Sequence, residues 1–229
     1  SHTDATYTPG TPGPPVTFLA SGAAPRWSGT INSTNLYSGG AFTIDHDVSG
    51  VDAGDIVSFA IVIENQGSSL KGAFDIDILD TLPTNFQIPA GGLNLQIYYG
   101  NGTGPIAYTR PDNSPAAPGD LFTTGIRLVD PVGAGVCQAH DPNLGNNVIL
   151  ITYDLEVSST VVPGTMTNTG TITHYAGDEG GPNHVPTPSP LRDDADATVV
   201  TSMIKLGATE IINANNSIYQ AVIGELVIY

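Results

Sequence analysis

The residues best suited to chemistry in this chain are carboxylates. They gather in local groups: Asp45 and Asp47 with Asp52 and Asp55; Asp75, Asp77 and Asp80; Asp178 and Glu179; and Asp193, Asp194 and Asp196. Carboxylate and carbonyl oxygens are the ligands calcium takes, whereas zinc needs a cluster of thiolates or imidazoles, which this sequence lacks. Asp75 and Asp77 fall on one face of a single strand, about 7 Å apart, and could share an ion only if a loop added ligands. The Asp193 group borders a Gly/Pro-rich loop that can turn carbonyls inward. A calcium site drawn from Asp178, Asp193, Asp194 and Asp196 is therefore the metal expectation. No EF-hand loop or calcium-binding nonapeptide repeat is present. The plainer alternative for every group is a solvated acidic face.

Covalent catalysis has little to draw on. Serines are plentiful, but none sits in a Gly-x-Ser-x-Gly elbow. Cys137 and His140 lie three residues apart in a loop and could be read as a thiol–imidazole pair. A lone thiol near a surface histidine is the simpler account. No Gly-rich phosphate loop follows a strand and opens a helix, so nucleotide binding has no support. The reading is that the chain is not an enzyme. Among aromatics, Trp27, Tyr98 and Tyr99 could form a platform on which a sugar stacks. Trp27 alternatively anchors the N-terminal segment onto the domain.

The composition narrows the partners. There are 6 Lys+Arg against 22 Asp+Glu, a formal charge of −16. Nucleic acid and anionic membrane both repel such a surface. No run approaches the roughly 18 apolar residues of a spanning helix. The opening Ser1-His2-Thr3-Asp4 reads as a mature start rather than a signal peptide. A single cysteine excludes an internal disulfide framework. The acidic, lysine-poor balance suits an extracellular or cell-surface protein.

The elements that must hold these residues are strands. Ile56–Ile63 is β-branched and apolar between Gly54-Asp55 and Asn65-Gln66-Gly67, the pattern of a buried strand between turns. Phe74, Ile76 and Ile78 alternate with Asp75 and Asp77, predicting a half-buried strand with an acidic outer face. Residues 93–99, 148–157, 166–175 and 197–203 supply further strands. Gly and Pro interrupt too often for an amphipathic helix. The sum is an all-β, antiparallel Ig-like or Greek-key sandwich with long Gly/Pro-rich loops at 100–120 and 176–194. Residues 1–40 form an extended segment partly packed on it, 41–202 the sandwich, and 203–229 a pair of C-terminal strands. Ala221–Tyr229 repeats the pattern of Val51–Phe59, a glycine followed by an acid, an apolar pair and an aromatic residue.

An ordered set of short motifs resembles a known family. Gly54-Asp55-Ile56-Val57-Ser58-Phe59, Glu64-Asn65-Gln66-Gly67, Asp80-Thr81-Leu82-Pro83, Val162-Pro163-Gly164-Thr165 and Thr167-Asn168-Thr169-Gly170 occur in that sequence. The order is similar to the conserved-repeat domain of unknown function found in tandem in large bacterial and archaeal surface proteins. It spans about residues 41–201, and the tail resembles the start of a next copy. The resemblance implies a structural surface module. Some surface domains similar to this one staple themselves with a Lys–Asn or Lys–Asp amide. Only Lys71 and Lys205 are available here. Lys71 sits in a solvated loop and Lys205 in the tail.

The function expected from all this is a non-catalytic extracellular module of a surface or matrix protein. Unpaired apolar strands in the tail must fold back, dimerise or complete a neighbour's sheet. Ile218, Val222, Ile223, Leu226 and Ile228 are the assembly residues of that expectation, with other copies or adjacent repeats as partners. A strand exchange of this kind that does not close builds a filament. The alternative is an adhesin-type module gripping an extracellular glycan or protein through its long loops.

Overall fold

The computed structural model describes residues 6–7, 17–19, 22–36, 47–67, 70–187 and 191–199. Its centre is β11 (Val148–Val157), in which every residue but Glu156 is buried. β11 pairs antiparallel with β5 (Ile56–Glu64) in an unbroken register from Val148↔Glu64 to Glu156↔Ile56. On its other side it takes two short strands, β7 (Phe86–Gln87) and β8 (Gln96–Tyr99).

The facing sheet contains β1 (Thr6–Tyr7), β4 (Asp47–Ser49), β6 (Phe74–Thr81), β9 (Tyr108–Thr109), β10 (Ile126–Leu128), β12 (Gly164–Ala176) and β13 (Leu191–Val199). Their order is β1-β4-β13-β12-β6-β10-β9. All pairs are antiparallel except β13 with β4. A small hairpin of β2 (Thr17–Phe18) and β3 (Trp27–Ser28) lies apart, followed by one helical turn, α1 (Ser33–Leu36). The fold is the all-β sandwich expected.

Period-two alternation explains the core. Ile76 and Ile78 of β6, Ile126 and Leu128 of β10, and Met166 of β12 meet Val57, Phe59 and Ile63 of β5 and Ile149, Ile151, Leu155 and Val157 of β11. Phe59 stacks on Tyr153 at 5.7 Å and meets Phe86 edge-on at 5.4 Å. Gly170 makes room for this packing, since a Cβ there would sit 3.2 Å from the Ile61 side chain.

β11 is buried on its second face as well. Trp27, Ile31 and Leu36 form a separate cluster with Val148 and Leu150. Residues 22–36 thus cover the outer face of the smaller sheet. Three boundaries differ from the sequence expectation. β8 begins at Gln96 rather than Leu93, because Leu93 instead accepts from the Asp154 N–H in a loop. β13 begins at Leu191, so the long loop after β12 is shorter than composition suggested. The loop over 100–120 contains β9 and ends in a 3₁₀ turn, Pro118–Phe122, and Arg110 clamps it through Asp120 at 2.9 Å.

Candidate functional site

Asp75, Asp130 and Glu179 bring one carboxylate oxygen each within 4.8 Å of one another. Three elements converge to do this. Asp75, the second residue of β6, lies in the left-handed region at φ 50°, a conformation aspartate tolerates better than most residues. Asp130 follows β10, and Glu179 lies in the loop after β12. The Asp75 N–H donates to Asp130 Oδ2 at 2.9 Å, and the Val136 N–H to Asp130 Oδ1 at 2.7 Å. The Gly180 N–H donates to Asp75 Oδ2 at 2.8 Å. His174 donates from Nδ1 to the Asp75 carbonyl at 2.9 Å, which sets its tautomer.

Arg127 supplies the positive charge of this region. It grips Asp77 with Nε at 2.6 Å and Nη2 at 2.9 Å, and its Nη1 lies 3.6 Å from Asp75 Oδ1. Asp75 and Asp77 are therefore buried and ion-paired, not the solvated acidic face that alternation predicted. Burial pushes the Asp130 carboxyl above its usual range, and the neighbouring Asp75 charge adds to the rise. The donor set is hard oxygen throughout, which suits calcium and not a soft metal.

The sequence-predicted calcium residues sit elsewhere. Asp178 is exposed and paired with Lys71 at 2.6 Å. Asp193, Asp194 and Asp196 lie within β13, opposite Gly170, Thr169 and Thr167 of β12. The signal for the observed group was only partial. Asp75 showed in the alternation and Glu179 in its acidic pair, but nothing local marked Asp130 as their partner.

Two of the three rings of the expected aromatic platform are buried, and Tyr98 is half-buried. Trp27 is 2% exposed, meets Tyr98 edge-on at 6.3 Å and donates Nε1–H to the Gly100 carbonyl at 3.2 Å. Tyr99 is buried in the main core. Neither ring offers a free face to a sugar, and Trp27 serves as the anchor of the N-terminal segment. Ile218, Val222, Ile223, Leu226 and Ile228 lie outside the described residues, as does Lys205.

Cys137 and His140 do not form a couple. Cys137 is fully buried with Sγ 3.2 Å from the Asn147 carbonyl, and burial pushes its thiol up to about 12. His140 Nδ1 lies against the Asn65 carbonyl and the Asn147 amide. A thiol held protonated is a poor nucleophile.

A second polar group, unforeseen as a unit, lies between the sheets. Asp80 continues the inward face of Ile76 and Ile78, and Tyr153 the inward face of Ile151. The Tyr153 hydroxyl donates to Asp80 Oδ2. Asn168 Nδ2 reaches Tyr153 Oη at 2.6 Å and Asp80 Oδ2 at 3.2 Å. Asp80 Oδ1 and Asn168 Oδ1 have no hydrogen-bond partner among the described residues. Burial raises the Asp80 carboxyl, and burial with the Asp80 charge raises the Tyr153 phenol.

No known family model and no characterised protein matches the chain in sequence. Among solved structures it is similar to the T6 backbone pilin of serotype M6 Streptococcus pyogenes, a modular three-domain protein, at 14% identity and a TM-score of 0.38. That likeness covers 76% of this chain and 34% of the pilin. It is also similar to a family 123 glycoside hydrolase from Clostridium perfringens, at 10% identity and a TM-score of 0.33, over 75% of this chain and 26% of the enzyme. At these scores neither likeness bears on what this chain does.

Proposed function

We propose that this chain is a non-catalytic, extracellular structural module of a surface or matrix protein, and that its copies join by β-strand addition into a filament or tandem array. The observation that carries the reading is the edge of β5, a nine-residue, mostly apolar strand that among the described residues is bonded on one side only, to β11. Strand edges of this kind recruit further strands. The tail sequence Ser217–Tyr229 offers such a strand. The interior polar groups also favour scaffold over catalyst: Arg26 with Asp154, Arg127 with Asp77, and Asp80 with Tyr153 are each committed to one another. Calcium belongs to this reading as a structural ion, with Asp75, Asp130 and Glu179 as the residues offered to it.

Light scattering on the full chain, with calcium and then with excess chelator, tests the reading. Large assemblies that disappear when residues 203–229 are deleted support it. A monomer at every concentration and in both conditions overturns it.

A further inference from the structure

β5 is the long open edge among the described residues. The other edges, β1, β7 and β9, have two residues each. The outer edge of β8 is covered by the returning chain: the Tyr99 N–H donates to the Thr103 carbonyl at 2.9 Å, and the Ile97 carbonyl accepts from the Ile106 N–H at 2.8 Å. From Ile56 to Ile63, β5 has no proline, glycine or charged residue, and its register with β11 has no bulge. These are the devices that ordinarily blunt an edge.

The ladder identifies which backbone groups are open. In an antiparallel pair the N–H and C=O of one residue point to the same side, and successive residues alternate. Tyr99 and Ile97 direct theirs away from β11, so their partners Ile149 and Ile151 direct theirs toward β5. Opposite these, Ile63 and Ile61 bond to β11, and Phe59 and Val57 share their phase. The Asp154 N–H donates to the Leu93 carbonyl, which places the alternate set of β11 on the side away from β5. Ile56, Ser58, Ala60, Val62 and Glu64 therefore hold their N–H and C=O outward.

We propose that this edge is the acceptor for residues 217–229 of a second copy, pairing along Ile56–Glu64. The proposal rests on the strand-addition reading above and names its receiving surface. The Ser217–Tyr229 segment is long enough to cover the nine residues of β5. Val222, Leu226 and Ile228 fall on one row of that segment, and Ala221, Ile223 and Val227 on the other. Two apolar rows suit an edge bordered by apolar residues on both faces: Val57, Phe59 and Ile63 toward the core, and Ile56, Ala60 and Val62 outside. Charge opposes this choice little. In a chain of net charge −16 copies repel, yet the pairing brings together only Glu64 and Glu225 as acids.

The test mixes two full-length variants. One carries Ala60→Cys; the other carries a single cysteine at Ala221, Ile223, Glu225 or Val227. Cys137 is buried and stays out of the exchange. The expected result is a disulfide-linked heterodimer under mild oxidation, strongest for one tail position. Ala60→Pro, which removes an outward N–H and leaves the ladder with β11 intact, is expected to lower the assembled fraction at least tenfold with an unchanged circular dichroism spectrum. Ala60→Lys replaces it if the proline variant misfolds. If deleting 217–229 abolishes assembly while the Ala60 variants assemble normally and no cross-link forms, the edge assignment falls and strand addition stands. If cross-links form only within a doubly substituted single chain, the tail closes its own edge and the proposal is overturned.

Discussion

The Tyr153 hydroxyl donates to Asp80 across the interior of the sandwich, one residue from each sheet. Among the described residues no cation accompanies the pair, and Asn168 is a further partner of both groups. Two consequences follow from a carboxyl buried without a counter-charge.

The first concerns stability. Tyr153→Phe keeps the ring that stacks on Phe59 but deprives Asp80 of its hydroxyl donor. A buried acceptor that loses a donor costs about 1–3 kcal/mol. Urea denaturation of the variant is expected to show a loss in that range with an unchanged m-value. A loss below about 0.5 kcal/mol would mean that water replaces the hydroxyl.

The second concerns pH. The Asp80 carboxyl is raised in the folded state, above the ordinary 3.8, by burial. Between those two values the folded chain binds the proton that the unfolded chain releases. Stability from this group is full below the ordinary carboxyl range and is lost as pH rises through the folded value. Asp130 is raised too, and Asp112 and Asp120 are lowered, so the total profile mixes signs. The Asp80→Asn variant isolates the term. Its stability relative to the parent is expected to increase as pH rises from 4 to 7, in parallel urea series. A difference that is flat across that range would refute the assignment.

The N-terminal segment is held by a buried pair. Arg26 grips Asp154 at 2.6 and 2.7 Å, and the exposed fractions of the two side chains are 5% and 6%. Arg26→Ala removes the guanidinium and keeps the contacts of Asp154 with Ser58 and Asn94. Removing one member of a buried pair costs about 3–5 kcal/mol. Hydrogen exchange is expected to rise across residues 22–36 before the core strands respond. Gly100→Ala should act on the same segment, since a Cβ there would meet the Ile31 carbonyl oxygen at 2.0 Å. Protection unchanged in both variants would show that the segment stands without this contact.

The strands were legible because period two survives in a single sequence. β6 shows it, while β5 and the start of β11 are legible instead as β-branched apolar runs between turns. What was not legible is pairing across the chain. Asp77 reads as solvated until Arg127, fifty residues on, is placed opposite by β10. Trp27 reads as binding surface or as anchor until β11 shows a second apolar row, at Val148 and Leu150, that something must cover. Asp130 carried no local signal, because its role depends on the left-handed turn at Asp75.

The acidic group gives the last prediction. If Asp75, Asp130 and Glu179 hold calcium, the ion stabilises the folded chain by mass action, by about 2.7 kcal/mol at a hundredfold excess over its dissociation constant. Thermal melting of the full chain should shift upward with millimolar calcium and return with chelator. Asp130→Asn should abolish the shift. Both Asp130 carboxylate oxygens accept a backbone N–H and the amide keeps only one of these bonds, so the metal-free variant is expected to melt below the parent and the readout is its response to calcium. Magnesium is expected to do less, because it demands tighter octahedral geometry and gives up its waters reluctantly. The comparison has a clear alternative. Arg127 already lies 3.6 Å from Asp75 Oδ1 and partly neutralises the group. A melting temperature unmoved by calcium would mean that this guanidinium is the only cation the site uses.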